Sequence, residues 1–202
     1  MAGTNILMDK KESFLKTAKG NLIHPFALQI EEIDINEVAS SLSKIVRWGG
    51  QINRFYSVAA HSIQVSYWVE IFGGSKQEQL IGLLHDVSES LGCGDLPTPI
   101  KKFIPAYVEM EDEMQKIIMA KYNLPYPYPD IVHKADHAAL VHEAVNLKDE
   151  DPFWRSQFEK LGKINYIIED AQSSPSHRWN PTDHIIIMNY EFTERFKYLY
   201  GK

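Results

Sequence analysis

The sequence predicts an all-α fold, a bundle of helices preceded by a short irregular or extended N-terminal segment. From about residue 35 onward, apolar residues recur at helical spacing along most of the chain. Glycine pairs, prolines and capping residues interrupt these stretches and mark where helices begin and end. With 202 residues, 44% of them hydrophobic, the chain can bury a core, and we predict a single domain over residues 1–202.

The N-terminal half is predicted to contain a turn and three helices. The turn lies near Gly20, between short extended pieces. The first helix is predicted over 36–48, where apolar residues form one stripe ahead of a glycine pair. Ser57 is expected to cap the second helix. A capping box that begins at Ser75 opens a third helix, which ends near 92–94.

Prolines shape the second half of the chain. The segment 95–105 contains three of them and is predicted to be a loop, because each disfavours helix in the residue before it. Pro105 can begin the next helix at its first position. Asp130 is expected to cap the helix after that. Residues 153–171 are predicted to be helical in two pieces, and Pro181 opens a last helix after a loop.

Composition excludes several classes of protein. The net charge of −6 argues against broad binding to polymeric nucleic acid or to an anionic membrane. The single cysteine, Cys93, excludes an internal disulfide framework and suits a reducing compartment. No apolar run is long enough to span a membrane, and the N-terminus lacks a signal-peptide pattern. We therefore expect a soluble cytoplasmic protein.

Four polar residues suggest a metal site. His85 and Asp86 stand side by side at the end of the apolar stretch LIGLLHD, where two such side chains are costly unless something pairs with them. His61 and Asp136 lie on two other predicted helices. Imidazole and carboxylate ligands suit a divalent Zn, Mn, Co or Fe ion, and helices of a bundle can aim such ligands inward.

Each of these residues also has an ordinary structural explanation. A lone histidine such as His61 usually bonds a backbone carbonyl, and Asp136 could be a surface carboxylate near Lys134. His133 and His137, four residues apart on one predicted helix face, are a second candidate metal pair. The residues alone leave these alternatives open.

Four segments in succession carry a family resemblance. FYSVAAHS, LLHDVSE, GDLPTPIK and ADHAALVHEA resemble the signatures of HD-domain phosphohydrolases. Within that superfamily they are most similar to the branch acting on deoxynucleotides, which includes bacterial 5′-deoxynucleotidases and phage dATP triphosphohydrolases. The likeness runs from about Gly20 to about Leu147. It implies that the helical bundle is an HD domain.

The resemblance also implies the metal ligands and the catalytic groups. His61, His85, Asp86 and Asp136 take the places of the metal ligands. The ion would be Zn, Co or Mn, with Mg as the candidate for a second ion. Glu89 takes the place of the glutamate that works beside the metal, so that Glu89 and Asp86 are the expected catalytic residues. A solvated carboxylate at a helix end is the alternative for Glu89.

A further set of residues is expected to contact the substrate: Arg47, Trp48, Gly50, Gln51, Asp95 and Lys101. Arg47 could bind a phosphate or a base edge, and Trp48 could stack on a base. Lys101 could reach a phosphate tail, and Asp95 could order its loop or contact the sugar. Core filling is the alternative for Trp48, and a solubilising charge is the alternative for Lys101.

The chain departs from the family pattern at two places. Many relatives carry Glu immediately before the first metal histidine, but this chain has Ala60, which weakens the case for a carboxylate that orients His61. The segment HDVSES also lacks the second acidic residue that is typical of hydrolases of the alarmone (p)ppGpp. We therefore expect a different substrate.

The function expected from these observations is metal-dependent hydrolysis of deoxynucleotides. A triphosphohydrolase that prefers dATP is favoured, since the N-terminal part looks closer to the phage branch. A 5′-deoxynucleotidase acting on dNMPs is the alternative, and a non-catalytic metal- and nucleotide-binding sensor is an alternative of another class. Relatives are homo-oligomers, from dimers to hexamers, and a phage-encoded protein would work in the host cytoplasm.

Overall fold

The described part of the chain begins with a small hairpin. In this computed structural model, residues 12–161 and 181–201 are described. Strand β1 (Leu15–Lys16) pairs antiparallel with strand β2 (Leu22–Ile23). Gly20, in the connecting turn, has φ of +92°, a conformation that glycine adopts without strain. The predicted turn between short extended pieces is confirmed.

Helices make up most of the rest of the described residues, so the predicted all-α class is confirmed. They are α1 (Ile35–Leu42), α2 (Val58–Ile71), α3 (Lys76–Leu84), α4 (Thr98–Lys101), α5 (Pro105–Lys121), α6 (Asp130–Leu147), α7 (Pro152–Lys160) and α8 (Pro181–Tyr200). In these ranges, no helix is both long and apolar enough to cross a lipid bilayer. The predicted second helical piece after 162 and the loop before Pro181 lie outside the described residues.

Helix α2 is the centre of the bundle. It packs against α3, α6 and α8, and eleven of its 14 residues are buried. The side chain of Ser57 accepts a hydrogen bond from the backbone N–H of Ala60, so the predicted cap is confirmed. Because α2 is buried on nearly every face, a polar side chain on it must find its partners inside the protein.

Helix α3 lies close against α2 because of one glycine. A Cβ atom at Gly82 would stand 3.1 Å from Cγ2 of Val69 and 3.4 Å from Cα of Ser66. Since a side chain there would push the helices apart, Gly82 sets how near α3 approaches α2. The predicted capping box is confirmed at the start of α3, where Ser75 and Glu78 satisfy each other's backbone N–H groups.

The first helix is shorter than predicted. It ends at Leu42 rather than near residue 48. Beyond it, Val46 forms an antiparallel bridge with Ser57, and the N–H of Arg47 donates to the carbonyl of Tyr56 at 2.9 Å. This backbone pairing replaces helical hydrogen bonds, so the tertiary contact overrides the helical pattern of the sequence. Trp48 follows in a 3₁₀ turn with φ of +61° and does not lie on a regular helix.

Three further boundaries differ from the predictions. The third helix is interrupted at His85 and Asp86, and the chain resumes as a π-helical turn over Glu89–Cys93. The proline-rich loop contains the one-turn helix α4, which its prolines permit at the N-terminus. Pro129, not Asp130, occupies the cap position of α6. The predicted helix start at Pro105 is confirmed, and Pro181 lies in helix α8 directly after residues outside the described ranges.

Candidate metal centre

The four predicted metal ligands converge from three parts of the fold. His61 comes from α2, Asp136 from α6, and His85 and Asp86 from the turn that ends α3. The Nε2 atom of His61 lies 3.1 Å from Oδ1 of Asp136 and 3.6 Å from Oδ2 of Asp86. The Nε2 atom of His85 lies 3.2 Å from Oδ2 of Asp86 and 3.9 Å from Oδ1 of Asp136.

Both imidazoles are held so that Nε2 faces this common point. The Nδ1 atom of His85 lies 2.8 Å from the carbonyl oxygen of Gly82 and must donate to it, because a carbonyl only accepts. The Nδ1 atom of His61 lies 2.6 Å from Oε1 of Glu143 and donates to that carboxylate. With the proton on Nδ1, each neutral ring presents the lone pair of Nε2 to the site.

This arrangement fits a divalent ion. One ligand atom from each of His61, His85 and Asp86 lies within 4.8 Å of the others, so these residues could hold a metal ion. The Nε2 atom of His61 is buried and makes no well-aligned hydrogen bond, although Oδ1 of Asp136 lies 3.1 Å away, so a ligand could complete it. Asp136, with its side chain 45% exposed, lies on the solvent side of the group.

The electrostatics of the group also favour a cation. Burial alone would raise the pKa of Asp86, but the neighbouring charges of His85 and His61 hold it well below the usual range. Burial and Arg47 act to lower the pKa of His61, yet the Glu143 and Asp136 carboxylates raise it to about 9. The site thus stabilises positive charge between its carboxylates, whether carried by a proton or by a metal.

Glu143 is a residue that the sequence analysis missed. Ala60 stands where many proteins of the resembled superfamily carry a glutamate, yet Glu143 supplies a carboxylate behind His61 from α6. It is 1% exposed, and its pKa is lowered against the effect of burial by His61 and Arg47. Glu143 lies seven residues after Asp136, about two helical turns along the same face, and this spacing could have placed it near the other site residues.

Arg47 and Trp48 contact Glu143, the carboxylate that holds His61. The indole N–H of Trp48 donates to Oε2 of Glu143 at 2.9 Å, and the Arg47 guanidinium lies 3.5 Å from the same oxygen. Arg47 also lies 3.6 Å from Asp95, and these carboxylates raise its pKa. Trp48 packs edge-to-face on Trp154 at 6.0 Å. Both side chains thus have partners within the protein, and their contact with a substrate stays a prediction.

Glu89 and Asp95 form a second pair of buried carboxyl groups. Glu89 is 6% exposed, which excludes a solvated carboxylate at a helix end. Burial, with the charges of Asp86 and Asp95, raises its pKa well above the usual value. One oxygen of each of Glu89 and Asp95 is buried without a hydrogen-bond partner. Glu89 is therefore disposed to hold a proton close to the metal ligands.

A cavity of about 360 Å³ adjoins the centre. Its walls come from the turn after α3, from α4 and α5, and from α6 with the segment before it: His85, Asp86, Lys101, Val108, Glu111, Asp112, Gln115, Tyr126, Tyr128, Val132, His133 and Asp136. Lys101 is thus placed beside the ligands, where it pairs with Glu111. The tyrosines of the PYPYPD segment were missed, since the prolines around them predict only a break between helices.

Four further predicted residues are not part of the metal-capable group found among the described residues. Gly50 and Gln51 are exposed, and a Cβ at Gly50 would meet no atom within 4 Å. His133 and His137 are both exposed on α6, and the metal-capable group found among the described residues contains neither. The first ligand set is thus the one that the fold brings together.

Comparisons with known proteins give relatives without a stated function. No model of a known protein family matches the chain. An uncharacterized protein of Rhodobacter capsulatus is 34% identical over 116 residues, which span 54% of this chain and 57% of that protein. The uncharacterized protein YfdR of Escherichia coli K12 is 35% identical over 143 residues, which span 70% of this chain and 77% of YfdR. At that identity and coverage, the chain belongs to the YfdR family.

Proposed function

We propose that this protein is a metal-dependent phosphohydrolase of the HD-domain type that acts on deoxynucleotides. The observation that carries the proposal is the meeting of His61, His85, Asp86 and Asp136 close to a buried glutamate with a raised pKa. The four motif segments named above carry the same residues. YfdR and the Rhodobacter protein have no stated activity, so the proposal depends on the motifs and on this geometry.

The centre has the parts that hydrolysis of a phosphate ester needs. A divalent ion held by these ligands would supply the Lewis acid that polarises the phosphorus and makes water acidic. Glu89, buried and with an unpartnered oxygen, can take a proton from the attacking water or give one to the leaving oxygen. Glu143 keeps the His61 ring in the tautomer that presents Nε2.

The adjoining cavity is the proposed path for the phosphate. Its volume of about 360 Å³ is within the range of small-molecule sites. Lys101 lines it and could exchange its contact with Glu111 for a phosphate oxygen. The choice of deoxynucleotides, with dATP preferred, comes from the resemblance. The expected reaction converts dATP and water into deoxyadenosine and triphosphate.

A 5′-deoxynucleotidase is the second candidate, and the charges of the cavity favour it. Glu111 and Asp112 line the cavity together with the metal ligands Asp86 and Asp136. These four carboxylates would repel a long, highly charged phosphate tail more than a single phosphate group. A monophosphate therefore suits this wall better, unless a second cation such as Mg²⁺ accompanies the tail.

The product of dATP turnover decides between these reactions. The purified protein is incubated with dATP, dGTP, dAMP or ATP, each with Mn, Co, Zn or Mg, and the products are separated by ion-pair chromatography. Deoxyadenosine and triphosphate from dATP, with dAMP unchanged, would support the triphosphohydrolase. Orthophosphate from dAMP, with dATP unchanged, would establish the nucleotidase instead.

The same experiment tests the proposal as a whole. A protein that binds one of these metals and hydrolyses none of the four nucleotides would contradict the enzymatic function and favour a metal-binding sensor. Homo-oligomerisation, which the resemblance implies, and a cytoplasmic location, which the composition favours, stay predictions. Size-exclusion chromatography with light scattering measures the first of these.

A further inference from the structure

The interruption of the third helix leaves one backbone carbonyl in an unusual position. In a continuous α-helix the N–H of Glu89 would donate to the carbonyl of His85, four residues earlier. Here that N–H donates instead to the carbonyl of Asp86, at 3.1 Å. The His85 carbonyl therefore lies at a helix end, next to two metal ligands, and needs other donors.

Two side chains from other elements supply those donors. The hydroxyl of Tyr128, in the segment before α6, donates to the His85 carbonyl at 2.9 Å. The side-chain amide of Gln115, on α5, donates to the same oxygen. Gln115 is only 4% exposed, so water does not readily replace it. The ring of Tyr128 is held by edge-to-face contact with Tyr126, at 5.2 Å.

We propose that Tyr128 and Gln115 are positioning residues for the metal centre, which fix the turn that presents His85 and Asp86. They hold the backbone of the turn from the side of the cavity, while Gly82 holds the His85 ring from within α3. With the carbonyl and the ring of His85 both fixed, its Nε2 atom and the carboxylate of Asp86 keep a separation of 3.2 Å, which suits one shared ion. This inference rests on the proposed metal site but not on any particular substrate.

Removal of the two donors tests the proposal. Tyr128→Phe keeps the ring and loses only the hydroxyl, and Gln115→Met keeps the length of the side chain and loses the amide. Tyr126→Phe is the matched control, because its hydroxyl donates to Asp112 and not to the turn. The dissociation constant for Co²⁺ is measured by chelator competition, and the visible spectrum of the bound Co²⁺ reports the ligand geometry.

We expect the double variant to bind Co²⁺ about 10-fold more weakly, as for other lost partners of metal ligands, with an altered spectrum. The control should keep the affinity and the spectrum of the parent. A folded double variant with the parent's affinity and spectrum would overturn the positioning role. The role would also be overturned if the double variant lost the same number of degrees in melting temperature with Co²⁺ as without it. That result would mean that the two contacts stabilise the fold but not the bound metal.

The two proposals fail in different ways. Parent protein that binds Co²⁺ but hydrolyses no nucleotide contradicts the proposed function and leaves the positioning role to be judged on affinity alone. Parent protein that binds no divalent ion removes the metal site, and with it the positioning role.

Discussion

Two buried polar clusters lie against helix α2, and they differ in how completely their groups are paired. Arg195 of α8 donates to Ser66 at 3.1 Å, to Glu70 at 2.7 Å and to Gln79 at 3.0 Å. At the candidate metal centre, by contrast, one buried oxygen of Glu89 has no hydrogen-bond partner, and the buried Nε2 atom of His61 makes no well-aligned hydrogen bond. A satisfied cluster holds helices together, whereas unsatisfied groups at comparable depth indicate a place for a ligand.

The largest effect is expected where a ligand atom is removed. Asp86→Asn replaces a carboxylate that lies near both imidazoles, so we expect loss of bound metal and a fall of nucleotide hydrolysis to the uncatalysed background. Elemental analysis and product chromatography measure the two. Asp112→Asn, on the wall of the same cavity, is the control. Equal loss in the control would show that charge in the cavity, not coordination, is responsible.

Glu89→Gln should separate catalysis from metal binding. We expect kcat to fall by ~10²–10⁴-fold, the usual contribution of a general acid or base, with metal content unchanged. A normal kcat would exclude proton transfer by Glu89. Steady-state kinetics on the preferred nucleotide, beside elemental analysis, measure both quantities.

Glu89→Gln should also change how the free energy of unfolding depends on pH. Burial and the charges of Asp86 and Asp95 raise the pKa of Glu89 in the folded chain, so folding favours its neutral form. As the pH rises through the folded pKa, ionisation destabilises the parent, and glutamine cannot ionise. In EDTA the variant should be at least as stable as the parent at about pH 8, and the difference should disappear near about pH 4. Urea denaturation at both pH values measures this.

Glu143→Gln tests whether Glu143 fixes the tautomer of His61 that leaves the lone pair of Nε2 free for a metal. Trp48 and Arg47 donate to one oxygen of Glu143, so the amide would turn its oxygen to them and its NH₂ to His61. The imidazole would then carry its proton on Nε2 and lose its lone pair for the metal. We expect ~10–100-fold weaker metal binding, measured by chelator competition. Glu191→Gln, on the exposed face of α8, should change nothing.

The smallest effect is expected in the satisfied cluster. Arg195→Met leaves Ser66 and Gln79 without their donor, and we expect the free energy of unfolding to fall by about 2 kcal/mol, with metal affinity unchanged. Lys197→Met, on the exposed face of the same helix, should stay within about 0.5 kcal/mol of the parent. A change of metal affinity in Arg195→Met would show that the two clusters are coupled through α2.

The features that could be predicted from the sequence depend on residues close together in the chain. The caps at Ser57 and Ser75 depend on residues three positions apart, and helical spacing placed His61 and Asp136 on helices that face the core. The end of α1 was missed, because it is fixed by a backbone pairing between Val46 and Ser57 that helical periodicity does not report.

Long-range partners account for the rest. Glu143 lies 82 positions from His61, and Gln115 lies 30 positions from His85, so neither contact has a local pattern. The contact of Trp48 with Glu143 was missed for the same reason, since the two residues are 95 positions apart in the chain. Motifs can point to candidate ligands, but the groups that orient those residues become visible only when the helices are brought together.

Gly82 joins two requirements at a single backbone position. Its missing side chain lets α3 approach α2, and its carbonyl accepts the Nδ1 proton of His85. The distance between the His61 and His85 rings, 5.2 Å between centroids, is thus governed by a residue that coordinates nothing. We therefore expect that tight docking of α2 against α3 and assembly of the candidate ligand atoms occur together. Metal binding would then report the correct spacing between these two helices.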